Sequence, residues 1–131
     1  MALTLTQMAA LHRLCFTTPR PWSEAELAQL VHAPGVIDLR KNNGFLLGRV
    51  IADEAELLTL AVHPSARRSG EGRALVSDFL HACRDAASVF LEVAADNDPA
   101  IQLYRGFGFE QAGLRKSYYE KTDAIVMSRK I

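Results

Sequence analysis

A chain of 131 residues, 49% of them apolar and 23% charged, is long enough to bury one hydrophobic core and too short for a second catalytic domain. Its 15 Lys and Arg balance 15 Asp and Glu, so composition supplies no long-range pull toward nucleic acid or an anionic membrane, and neither is expected as a partner. No apolar run approaches the roughly 20 residues that cross a bilayer, and the first six residues lack a basic region followed by an apolar signal core, so a cytoplasmic protein is expected.

Near the start, Met8, Leu11, Leu14 and Cys15 fall at helical spacing and predict a helix over 6–16, stopped by the turn-rich stretch 17–21. After Trp22, Ser23 with Glu26 three residues later is a capping-box signature that opens a second helix through about Val31. Segments 36–40, 44–52 and 56–63 are rich in strand formers, with turns at Asn43-Gly44 and Asp53-Glu54, and predict a three-stranded antiparallel meander. From 70 to 87 the residues Leu75, Val76, Phe79, Leu80, Cys83 and Ala87 share one face of an amphipathic helix of about five turns. A buried strand over 89–95 follows, then a helix over 98–105 opened by Asp98-Pro99, completing a parallel β-α-β crossover. Strands over 109–114 and 124–130 close the chain, joined by a loop that carries Tyr118 and Tyr119. The predicted fold is mixed α/β across one domain, residues 1–131: a largely antiparallel twisted sheet with one parallel crossover and helices on both faces. Cys15 and Cys83 read as reduced, partly buried thiols, and His12, His32, His63 and His81 show no ligand spacing, so no metal is expected.

One segment points to a ligand. Arg67-Arg68-Ser69-Gly70-Glu71-Gly72-Arg73 lies between a strand and a helix N-terminus, where unpaired amides, the helix dipole and glycine-permitted backbone approach favour an anion. Three arginines match a pyrophosphate, while the third glycine of a dinucleotide loop and the Lys-Ser/Thr pair of a P-loop are both missing. Arg-x-x-Gly-x-Gly in this setting resembles the acyl-CoA loop of the GNAT superfamily of N-acetyltransferases. The resemblance spans residues 56–131 and includes Leu91-Glu92-Val93, Asn97, and Leu103-Tyr104-Arg105-Gly106-Phe107-Gly108-Phe109. Pro21-Trp22-Ser23, Arg115-Lys116-Ser117-Tyr118-Tyr119 and Asp123-Ala124-Ile125-Val126-Met127 resemble the RimI-type ribosomal-protein-alanine N-acetyltransferases more narrowly. The resemblance implies acetyl-CoA as co-substrate and Glu92 and Tyr104 as base and acid. Its cofactor contacts would be Leu60, Ala61, Val62, Arg67, Arg68, Ser69, Gly70, Glu71, Gly72, Arg73 and Asn97. Two positions depart from the family: Glu71 puts a carboxylate where an aliphatic residue is usual, which predicts weakened phosphate binding, and the residues before the first helix are too few for the family's full first strand.

The residue chemistry suits that assignment. An amine attacks a thioester only when neutral, so a group must take its proton and another must protonate the departing thiolate. Glu92 is the charged residue of an apolar strand, where desolvation favours a base, and the Tyr104 phenol can serve as acid. An amide near Val62 could stabilise the developing oxyanion if the strands splay there as in the family. Neutralising an α-amine of pKa about 8 at pH 7 costs roughly 1 kcal/mol, against roughly 4.6 kcal/mol for a lysine. A protein N-terminus, that of a ribosomal protein by resemblance, is therefore the favoured acceptor, with lysine and small-molecule amines open. Trp22, Tyr118 and Tyr119 are candidate acceptor contacts. The other readings are a related enzyme for a small amine and a non-catalytic acyl-CoA-binding module; a monomer or weak homodimer is expected.

Overall fold

The computed structural model describes residues 2–16, 20–67, 69–119 and 122–131, with 117–119 described by backbone alone. Two helices come first, α1 (Leu5–Cys15) and α2 (Glu24–Val31). Each starts at a complete capping box, Thr4 with Gln7 and Ser23 with Glu26, which satisfies amides that a helix start leaves without acceptors. The meander follows as β1 (Val36–Arg40), β2 (Gly44–Ile51) and β3 (Glu54–Val62). A short 3-10 turn (Pro64–Ala66) leads to α3 (Glu71–Ala82), β4 (Ser88–Ala94) and α4 (Asp98–Gly106). The hairpin β5 (Glu110–Tyr119) and β6 (Thr122–Lys130) completes a six-stranded sheet of order β1-β2-β3-β4-β6-β5. Neighbours pair antiparallel except β3 with β4, the parallel pair that the α3 crossover requires.

Alternation along the strands divides the core between the two faces of the sheet. Leu75, Val76 and Phe79 of α3 and Ile101 and Tyr104 of α4 pack with Leu46, Leu57, Leu91 and Met127. On the other face Met8 and Leu11 of α1 and Leu27 of α2 pack with Phe45, Leu47 and Ala61. Phe79 lies so close over β2 that a Cβ on Gly48 would sit 2.2 Å from its Cε1, which explains a glycine in a central strand.

One irregularity decides the shape of the sheet. Leu47 pairs with Thr59 but Gly48 pairs with Leu57, so Leu58 is an extra residue in β3, a β-bulge. The bulge inverts the alternation: Ala55 and Leu57 before it and Leu60 and Val62 after it join the α3–α4 core, while Ala61 turns to the α1–α2 side. The parallel ladder with β4 stops at the same level, at Leu57 opposite Leu91. Beyond it β3 runs on to Val62 and β4 to Ala94 without pairing to each other, so the two strands open into a wedge.

Several element limits differ from the sequence reading. α3 ends at Ala82 rather than Ala87; Cys83 caps it and is buried, as is Ala86 in the following turn, whereas Ala87, read as part of the apolar face, is exposed. β5 extends through Tyr119 instead of stopping at Leu114, because Arg115 and Tyr119 still find partners in Ala124 and Thr122 of β6. Tyr118 and Tyr119 therefore lie on a strand backbone, not in a loop, and their side chains fall outside the described residues. At the β1 edge of the sheet, Arg40 bonds Asp38 and the Leu3 carbonyl. No helix among the described residues is long and apolar enough to cross a membrane.

Candidate active site

The wedge between β3 and β4 is bounded at one end by the start of α3. Gly70, the N-cap, is left-handed at φ 85°, and a Cβ there would meet nothing within 4 Å. Glycine is thus required by the backbone turn rather than by crowding. Where α1, α2 and α4 begin with a side chain accepting a backbone amide, α3 has none. Its first-turn amides are left for an external acceptor, on the positive end of the helix dipole. Gly72 packs inward, where a Cβ would fall 3.7 Å from the Leu103 and Val62 side chains.

The loop's side chains are turned to holding the loop itself. Arg67 Nε donates to the Val62 carbonyl at 3.2 Å and its Nη2 lies 3.6 Å from Cys15 Sγ. Arg73 stacks over the Phe107 ring at 5.5 Å. The Ser69 hydroxyl donates to the Ala66 carbonyl. Glu71 Oε1 accepts the Asn43 amide at 2.9 Å, so this carboxylate is aimed at the β1–β2 turn. Arg68 lies outside the described residues. Arg67 and Arg73, two of the three arginines read as matching a pyrophosphate, thus also contact the protein itself, and the first-turn backbone amides of α3 add further anion donors among the described residues.

Glu92 lies on β4 between Leu91 and Val93, which face the α3–α4 core, and so points to the opposite side of the sheet. Its Oε1 is 3.2 Å from Arg115 Nη2 on β5, with the Glu92 side chain 21% exposed. Glu92 is the charged residue of an apolar strand, as the sequence indicates, and β5, remote from it in the chain, supplies a counter-charge that the sequence did not show. Tyr104 sits on α4, buried, edge-to-face with Phe109 at 6.0 Å between centroids, and its burial pushes the phenol pKa up. Asn97 caps that helix, its Oδ1 accepting the Ala100 amide at 3.3 Å, a position the sequence reading gave to Asp98-Pro99. Leu60, Ala61 and Val62 form the edge of the wedge that β4 leaves unpaired, and the Val62 carbonyl also accepts the Cys15 thiol.

Trp22 packs with the α1–α2 core. Its amide donates to His12 Nδ1 at 3.0 Å and its ring stacks on the imidazole at 5.1 Å. It also lines an open hollow of about 400 Å³ with Glu26, Gln29, Leu30 and Ala33, whereas Glu92 and Tyr104 line neither this hollow nor a second of about 310 Å³ near Arg49, Asp53, Glu56 and Phe90. Three residues absent from the sequence-based site emerge: Arg115, Asn43 and His12. Arg115 heads a motif read only as resemblance; nothing local marks the other two, whose partners are 28 and 47 residues away.

The family model described as the acetyltransferase (GNAT) family matches residues 5–109. The [ribosomal protein bS18]-alanine N-acetyltransferase of Escherichia coli K12 is 37% identical over 118 residues, covering 82% of this chain and 80% of the relative. The crystal structure of the ribosomal-protein-S18-alanine N-acetyltransferase from Escherichia coli superposes with a TM-score of 0.86 at 30% identity, over 100% of this chain and 92% of its own. NAA60 of Arabidopsis thaliana, solved in complex with acetyl-CoA, shares the fold at a TM-score of 0.83 and 18% identity, over 100% of this chain and 97% of its own. From the wedge, the uncapped α3 start and these matches together, the chain belongs to the acetyltransferase (GNAT) family.

Proposed function

We propose that this enzyme transfers the acetyl group of acetyl-CoA to the α-amine of a protein N-terminus, the N-terminal alanine of a ribosomal protein in the cytoplasm. The observation that carries the reading is the opening of β3 from β4 beyond Leu57 and Leu91. It gives an extended thioester an unpaired strand edge, Leu60 to Val62, with the amides of Glu71, Gly72 and Arg73 at one end for the pyrophosphate. In this reading one substrate at the opening meets Glu92, on one face of β4, and Tyr104, packed against the other face.

Acetyl-CoA supplies an activated acetyl thioester. Glu92 takes the proton of the incoming ammonium, directly or through one water, and the neutral nitrogen forms the bond to the acetyl carbon as the C–S bond breaks. The Tyr104 hydroxyl gives its proton to the sulfur, the second proton that the nitrogen sheds as the amide forms returns through water to the Tyr104 phenolate, and the proton on Glu92 passes to solvent. Burial keeps that phenol protonated at neutral pH, the state a proton donor needs. The acceptor follows the proton cost and the substrate that the relatives' names carry.

The test offers wild-type enzyme and acetyl-CoA two peptides, one with a free N-terminal alanine and one blocked at its N-terminus but containing lysine. Thiol release and a one-acetyl mass increase with the first peptide alone are expected. Acetylation of the blocked peptide would reassign the acceptor to lysine, and turnover only with small amines would exclude a peptide.

A further inference from the structure

Glu71 stands at the first position of α3, inside the segment read as the phosphate cradle, where a carboxylate is electrostatically unwelcome to a phosphate. Its side chain does something specific there. Oε1 accepts the Asn43 amide at 2.9 Å, while the Asn43 carbonyl accepts the His63 amide at 2.7 Å. One residue of the β1–β2 turn thus grips both ends of the cradle, residue 63 where it leaves β3 and residue 71 where it enters α3. The grip is braced on either side of Asn43. Lys41 donates its amide to the Gly44 carbonyl at 2.8 Å, and its ammonium pairs with Asp78 of α3 at 3.3 Å. Gly44 lies against the end of β3, a Cβ there falling 2.9 Å from the Ala61 carbonyl.

We infer that Glu71 is a positioning residue for the cofactor: by tying α3 to Asn43 it holds the first-turn amides in place before the pyrophosphate arrives, so its net effect is to strengthen binding. A loop held in its binding geometry loses less conformational freedom when the ligand binds, and a carboxylate engaged with Asn43 is turned from the anion. The inference rests on the reading that acetyl-CoA occupies this cleft.

Calorimetry of acetyl-CoA binding to wild type, Glu71→Gln and Glu71→Leu, at low and at moderate salt, separates attraction from repulsion. Glutamine keeps an oxygen for Asn43 but no charge, and leucine keeps neither. Glu71→Leu is expected to bind about tenfold more weakly at both salts, the order of one lost hydrogen bond to a charged group, and Glu71→Gln to stay within about threefold of wild type. In turnover the loss should appear in the KM for acetyl-CoA, with kcat and the acceptor KM unchanged. Tighter binding by both variants at low salt would overturn the inference in favour of repulsion. Equal affinities for the two variants would overturn it too, since the bond to Asn43 would then be irrelevant. A wild-type protein that does not bind acetyl-CoA would instead sink the reading of the cleft.

Discussion

At the residue scale the division of labour between Glu92 and Tyr104 is open to direct test. Glu92→Gln keeps shape and removes the base, so turnover should fall by about 10² to 10⁴, the usual contribution of general acid–base help. Tyr104→Phe should cost a similar factor at the step where the thiolate leaves. Raising the pH supplies amine that is already neutral and does nothing for the leaving thiolate. The Glu92→Gln deficit should therefore shrink between about pH 7 and 9 while the Tyr104→Phe deficit holds, the burial-raised phenol staying protonated throughout. Rate profiles for both variants over that range check the pair, and near wild-type rates for both at pH 7 would refute it.

At the scale of elements, the bulge at Leu58 is what turns two paired strands into a cleft. A bulge bends its strand and increases local twist, and here it sits where the β3–β4 ladder ends. Deleting Leu58 would bring Leu57 and Thr59 into consecutive register opposite Gly48 and Leu47 and leave every later side chain on its present face. The variant is expected to fold, with some loss of stability from the missing half-buried leucine, and to lose acetyl-CoA binding because β3 no longer bends from β4. Calorimetry on the folded variant checks this; undiminished affinity would show that the wedge has another cause. Gly70→Val tests the neighbouring element. Its left-handed φ costs a β-branched residue on the order of 1–2 kcal/mol, so α3 should start differently and cofactor affinity should fall, read by the same titration.

For the molecule as a whole, His12 joins three parts of the fold. From α1 it accepts the Trp22 amide at Nδ1, and its Nε2 lies 3.0 Å from Thr59 Oγ1 on β3, which makes it the neutral tautomer with the proton on Nε2. Burial lowers its pKa from 6.5 to about 4, with Glu26 of α2 pulling weakly the other way. The unfolded chain therefore takes up this proton first as the pH falls. The stability His12 contributes is complete above about pH 6.5 and is lost progressively down to about pH 4. Between pH 7 and 5 the loss should be about 1–2 kcal/mol. His12→Gln, which has an acceptor and a donor but no titration in this range, should show a correspondingly smaller drop in urea midpoint over the same interval. An identical drop in both proteins would mean that His12 does not carry the acid sensitivity.

Much of this was legible in the chain because its causes are local. The capping box at Ser23 and Glu26, the strand formers and turns of the meander and the glycine before α3 each act within a few residues and each named its element, while the candidate role of Tyr104 came from the resemblance of the Leu-Tyr-x-x-x-Gly-Phe run to the family. The end of α3 differs for the same reason: Cys83 and Ala87 continue the helical spacing, and only the tertiary structure shows that the helix has stopped at Ala82 and that Ala86, not Ala87, turns inward. What tertiary structure alone decided is which distant groups meet. Arg115 reaches Glu92 across β6, Asn43 grips both ends of the cradle, and His12 finds Thr59 47 residues away. The bulge belongs with these, since Leu58 is extra only relative to the register of β2. Propensity and periodicity are properties of neighbours along the chain, whereas a register, an ion pair or a buried hydrogen bond exists only once two remote segments have been packed together.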